Sequence, residues 1–250
     1  MQAIFAGKEA LANALRGTLS EARFARYLSE SNGDQLLALS LYHWNAKLSQ
    51  CLYFPVQIWE IALRNKMNVF LGRKYTNPKW MYDEARAVRQ LTKSDQKRLT
   101  KVIERQKTDR KLAQPTPDMI VADLSAGFWV SQLTQSYDTP YAWRYNITKV
   151  FPHDPSLTRS VASTMCDRVL DVRNRIAHHE PVYHLPLDEI RDDLDQLIAG
   201  MCPGANEYAM GMCDFPTVWA ARPTAASLAA AMAATAAANE DDDADATPPE

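Results

Sequence analysis

The sequence predicts an all-α protein, and three observations carry that expectation. Glycine is scarce, with 8 residues against 14 prolines. Long apolar runs recur at helical spacing without β-branched alternation. Helix-start signals recur too, as Thr or Asp next to proline or Thr three residues before an acid. With 250 residues, 46% hydrophobic and 23% charged, the chain has the composition of a globular protein able to bury a core. That balance excludes wholesale disorder and a membrane-embedded fold.

Taken in order, Thr18 and Ser20 precede a short helix carrying Phe24, Tyr27 and Leu28, which ends at Asn32-Gly33. Asp34 opens a broad apolar run through Leu36, Leu39, Trp44, Leu48 and Leu52, and Pro55 is expected to kink it or start a second helix. The run continues through Val56, Trp59, Leu63, Met67 and Phe70 to Gly72. Tyr42, Trp44, Trp59 and Phe70 read as core first and as base-stacking candidates second.

Helix resumes near Trp80, and Thr92-x-x-Asp95 resembles a capping box for a long basic helix. Thr116-Pro117 starts the next helix, and Asp154-Pro155 is expected to start the one bearing Val161, Met165, Val169, Val172 and Ile176, which Pro181 ends. Pro186 to Ile198 is a further helix closed by Gly200, and a short one surrounds 206–212. From Arg222 the chain turns Ala-rich and then acidic, so residues 1–221 are expected as one domain and 222–250 as a flexible or partly helical tail.

The formal net charge is −2, but the charge is unevenly spread. Arg86 to Lys111 holds ten bases against three acids. Lys93, Lys97, Arg98, Lys101 and Arg105 form a stripe there, which reads either as a solvated face or as an RNA-tracking surface. The four cysteines lie far apart with no C-x-x-C pair, which argues against a zinc cluster and a disulfide framework. No apolar stretch reaches the roughly 18 residues of a bilayer span, and the first residues are too short for a signal-peptide core. The expected compartment is the cytoplasm, with no membrane association, no cofactor and no metal.

Asp171-Val-Arg-Asn-Arg-Ile-Ala-His-His-Glu180 is the densest ionisable cluster on an otherwise apolar helix. A guanidinium clamps phosphate oxygens, an amide orients a hydroxyl or phosphate, and an imidazole takes or gives a proton at neutral pH. These parts suit metal-free cleavage of an RNA phosphodiester. At roughly 100° per residue Asn174 and His178 share a face, whereas Arg173 and His178 lie about 140° apart. Either Arg173 reaches around on its stem or the helix loosens before His178.

Arg173-Asn174-x-x-x-His178 resembles the R-x(4–6)-H motif of HEPN-domain ribonucleases, and the string from Arg173 to Pro181 resembles the bacterial abortive-infection, Abi-like, family. Leu41-Tyr-His-Trp-Asn45, Leu48-Ser49, Trp59-Glu-Ile-Ala-Leu-Arg-Asn65 and Gly127-Phe-Trp-Val130 extend the resemblance over about residues 20–200. The resemblance implies a HEPN-like helical bundle with extra helices and an endoribonuclease that leaves a 2′,3′-cyclic phosphate. It implies a composite site at a homodimer interface, and a role in phage defence or as a toxin held by an RNA or protein antitoxin. Trp59, where the family more often has a smaller aliphatic residue, and the Ala-rich acidic tail depart from the pattern.

On this reading Arg173, Asn174 and His178 are catalytic. His179 stands as support or as a solvent-facing neighbour. Arg175 binds phosphate or pairs with Asp171 or Glu180. Arg64 and Asn65 support the site, or Arg64 pairs with Glu60 four residues earlier. The alternative from another class is a catalytically inactive RNA-binding or protein-interaction module of the same fold.

Overall fold

The computed structural model describes residues 9–244, and among them the secondary structure is helical, with no strand. The chain clusters into two compact units. The first combines the described residues up to Cys51 with those from Asp214 onward, and the second is Leu52–Cys213. Composition places a boundary at 221/222; the packing that joins the chain's two ends lies on either side of that point.

In the first unit α1 (Glu9–Leu19) and α2 (Glu21–Glu30) precede α3 (Gln35–Lys74), and α12 (Phe215–Ala220) and α13 (Ala225–Ala244) close it. Asp34 starts α3 as expected, its carboxylate accepting from Leu36 N at 2.9 Å and Leu37 N at 3.0 Å. Trp44 explains the pairing of the chain ends. Its indole donates to Val218 O at 2.6 Å, its ring stacks on Trp219, and the Arg222 guanidinium lies over it. The Ala-rich tail is helical from Ala225, and Leu228 is buried.

The second unit holds the rest of α3, then α4 (Lys93–Arg110), α5 (Pro117–Asp123), α6 (Ala126–Ser131), α7 (Asp138–Tyr141), α8 (Trp143–Val150), α9 (Arg159–Ala177), α10 (Leu187–Met201) and α11 (Pro203–Gly211). Pro55 neither starts a helix nor ends one: α3 runs through it. Proline removes one backbone hydrogen bond, a cost of about 3 kcal/mol. Leu52, Val56, Trp59 and Leu63 are buried around it and offset that loss. The aromatic core gathers Phe70, Trp80, Phe128, Trp129, Tyr137, Tyr141 and Trp143, with Phe70 stacked on Trp143 at 4.9 Å. Trp44, Trp59 and Phe70 are therefore core residues, out of reach of a base.

Two further start signals act as the sequence reads them. Thr92 accepts from Asp95 N to cap α4, and Thr116 accepts from Met119 N to cap α5. Another is displaced. Asp154-Pro155 begins no helix, because the Asp154 carboxylate is engaged by Ser156 and by Gln196 of α10, so α9 starts at Arg159 with Thr158 as its cap. Gly200 lies inside α10, one residue before its last. A Cβ there would stand 3.3 Å from Asp154 Cβ and 3.5 Å from Phe151 Cδ1, so glycine permits that close approach. No helix of the described residues is long and apolar enough to cross a membrane.

Candidate functional site

Helix α9 is fixed along one face and at both ends. Ala162, Met165, Cys166, Val169 and Val172 are buried, and burial pushes the Cys166 thiol well up. Arg168 grips Asp193 of α10 with two hydrogen bonds, Nε to Oδ2 at 2.6 Å and Nη2 to Oδ1 at 2.7 Å. The exposed face carries Thr164, Asp167, Asp171 and Asn174.

The helix does not loosen before His178, whose N–H still donates to Asn174 O at 3.0 Å, and it ends at that residue. Ala177 is its last residue, and His178 is the cap at φ −96°, ψ 7°. His179 follows in the left-handed region at φ 56°. His179 N donates to Ile176 O at 3.1 Å and Glu180 N to Arg175 O at 2.8 Å. Those two bonds make a Schellman ending, in which the left-handed position is ordinarily glycine. A histidine there costs about 1 kcal/mol of backbone strain. The turn throws the imidazoles of His178 and His179 outward, and both residues are exposed.

Arg173 leaves α9 on the flank beside Cys166 and Val169, as the 140° separation requires. Its Nε donates to Glu60 Oε2 of α3 at 3.1 Å, and its Nη1 reaches Asn174 Oδ1 at 3.5 Å. The Arg173 side chain is 36% exposed and that of Glu60 23%. Of the guanidinium's five N–H groups, the Nη2 pair takes no part in these bonds. Arg173 and Asn174 are thus brought together at a partly open position, and His178 stands one turn beyond Asn174.

Glu60 is the residue the sequence misassigns. The i, i+4 rule pairs it with Arg64, but it accepts from Arg173 across to α9. Arg64 instead has a buried Nε with no acceptor among the described residues, and Asn65 is exposed. Neither has a hydrogen bond to the α9 cluster. The usable signal was the inward-flank position of Arg173, a long cation that needs an acid, together with a carboxylate adjoining fully buried Trp59. Arg175 takes the ion-pair option, with Nε to Asp171 Oδ2 at 3.1 Å and Nη1 to Glu180 Oε2 at 3.5 Å. It braces the helix end in place of reaching for phosphate.

The basic stripe on α4 divides in two. Arg98 donates to Asp95 Oδ1 at 3.1 Å and to Gly127 O at 3.3 Å. Arg105 forms a two-bond pair with Asp123 of α5. Both arginines therefore fasten α4 to the helices behind it. Lys93, Lys97 and Lys101 are exposed along one row of α4, whose next member is the paired Arg105, around an open concavity of about 460 Å³ lined with Gln96 and Thr100.

Asp95, 2% exposed, also accepts from Thr92 Oγ1 at 3.0 Å, Ser131 Oγ at 3.0 Å and Tyr137 Oη at 2.6 Å. Burial and that carboxylate raise the Tyr137 phenol above its ordinary value. No family model matches this chain, and neither a curated protein nor a solved structure matches it.

Proposed function

We propose that the chain is a HEPN-type endoribonuclease of the Abi-like kind, cleaving RNA without a metal ion. The observation that carries the proposal is the end of α9. Arg173 and Asn174 meet side chain to side chain at a partly open position, and His178, one turn on, is an exposed residue at the helix end. A dry, closed network at these residues would have argued against it.

Glu60 fixes Nε and turns the Nη2 edge of Arg173 toward the scissile phosphate, where positive charge stabilises the crowded phosphorane. Asn174 orients the phosphate or the ribose. His178 takes the 2′-hydroxyl proton, the 2′-oxygen attacks phosphorus, and the P–O5′ bond breaks. The leaving 5′-oxygen receives a proton from a protonated imidazole, leaving a 2′,3′-cyclic phosphate and a 5′-hydroxyl. A second copy of the motif, brought by a homodimer, supplies the other histidine, so base and acid are separate rings. His179 is a neighbour whose backbone makes the turn. The resemblance extends the proposal to phage defence or toxin action under an RNA or protein antitoxin.

The second reading, an inactive RNA-binding or protein-interaction module, draws on the Arg173–Glu60 pair, since that carboxylate competes with phosphate for the guanidinium. Incubating the full chain with single-stranded RNA in EDTA separates the two. Cleavage that His178→Ala abolishes supports the nuclease. Intact RNA that is nonetheless bound supports the module.

A further inference from the structure

We propose that the Lys93, Lys97 and Lys101 face of α4 is a docking track for the backbone of single-stranded RNA, separate from the α9 site. The choice of RNA rests on the nuclease reading of α9. The track itself rests on α4 alone.

Three features of the helix support it. First, the sequence stripe of five bases resolves into two jobs. Arg98 and Arg105 hold Asp95 and Asp123, so their charges are compensated within the protein. Lys93, Lys97 and Lys101 are exposed and make no ion pair among the described residues. Of the nearby acids, Asp95 is buried toward Ser131 and Tyr137, and Glu104, three residues beyond Lys101 on the same side of the helix, is engaged by Lys107 at 2.9 Å.

Second, the spacing fits a repeating anion. Residues four apart on a helix are about 6 Å apart along its axis. That is comparable to the step between successive phosphates on an extended strand, so three lysines meet three consecutive phosphates. Third, the concavity between them offers Gln96 and Thr100, which hydrogen-bond phosphate or sugar, and no aromatic ring for base stacking. Such a surface grips the backbone and is indifferent to sequence.

The helix is held firmly for this task. Thr92 caps its N-terminus, and the Asp95 and Asp123 contacts fix its back, so the lysine row is presented on a rigid element. Pairing Arg98 and Arg105 with acids, while leaving Lys93, Lys97 and Lys101 bare, separates the structural cations from the binding ones.

The test uses the full chain and a fluorescein-labelled 2′-O-methyl oligouridylate, which 2′-hydroxyl attack cannot cleave, with anisotropy read over a salt series. The double reversal Lys97→Glu with Lys101→Glu is expected to weaken binding at least tenfold. Replacing both lysines by alanine is expected to flatten the log–log salt slope by about 1.4, since each single-strand phosphate contact contributes about 0.7. Arg144→Glu with Lys149→Glu, exposed on α8, changes net charge equally and is expected to weaken binding less than threefold.

Absence of binding by the parent chain, unchanged binding by the α4 variants, or equal weakening by the α8 variant each overturns the inference. Circular dichroism of the variants excludes misfolding as the cause of any loss. Lysine-dependent binding without RNA cleavage sinks the nuclease reading and leaves the track standing. Cleavage with lysine-independent binding does the reverse.

Discussion

Two carboxylates of the second unit, Asp95 and Glu60, each accept from an arginine, and they do so in opposite surroundings. Asp95 is sealed: 2% exposed, it answers two hydroxyls, a phenol and a guanidinium, and its neighbours are fixed by it. Glu60 is open: 23% exposed, it holds Arg173 by one N–H and leaves the other edge of the guanidinium to solvent. A buried polar network with every member satisfied is architecture. A half-satisfied cation at a helix end is available to a ligand.

That contrast is broken or sharpened by variants on each side. The largest effect is expected at the open centre, where His178→Ala or Arg173→Ala lowers RNA cleavage by about 10²- to 10⁴-fold with little change in melting temperature. Asp95→Ala is expected to do the converse, costing about 3 kcal/mol because Tyr137 and Thr92 lose their acceptor inside the protein. Urea unfolding reads that loss. A melting profile unmoved by Asp95→Ala would erase the distinction drawn between the two centres.

Glu60→Ala is expected to lower kcat about tenfold with KM nearly constant, as suits a positioning residue, and Glu60→Gln to restore part of it. Equal loss in both variants, matched by a stability loss, would make Glu60 merely structural. His179→Gly relieves the left-handed strain and is expected to keep cleavage while raising stability by up to about 1 kcal/mol. Loss of cleavage in that variant would hand proton transfer to His179.

The smallest effect concerns acid. The Arg105 guanidinium bonded to Asp123 holds that carboxyl below its usual range, with the Gln106 amide adding to the effect and burial opposing it. A carboxyl lowered in the folded state stabilises above its unfolded value, and that contribution fades as pH falls through the folded one. Arg105→Ala is expected to remove a small part of the stability at neutral pH and to shallow the acid limb of a melting-temperature profile. An unchanged limb would mean the pair contributes nothing to folding.

Much of the fold was legible because local chemistry decided it. Thr92, Thr116 and Asp34 announce helix starts, and Pro181 follows an ending. What was not legible depended on partners distant in sequence. Pro55 reads as a break until the burial on both sides of it is known. Asp154-Pro155 reads as a cap until Gln196 takes the carboxylate. The joining of the chain ends through Trp44 and Val218 spans 174 residues.

The candidate site divides in the same way. Helical periodicity alone placed Asn174 and His178 on one face and turned Arg173 away from them. Glu60 was invisible, because the i, i+4 rule offered it a nearer arginine. On α4 the sequence counted five bases as one stripe, and only tertiary packing distinguishes the two that fasten from the three that face outward.

The most direct test of the central claim is end-group analysis of RNA incubated with the purified chain in EDTA, beside His178→Ala. The account predicts fragments ending in 2′,3′-cyclic phosphate from the parent protein and intact RNA from the variant. Intact RNA in both lanes, or equal cleavage in both, contradicts it.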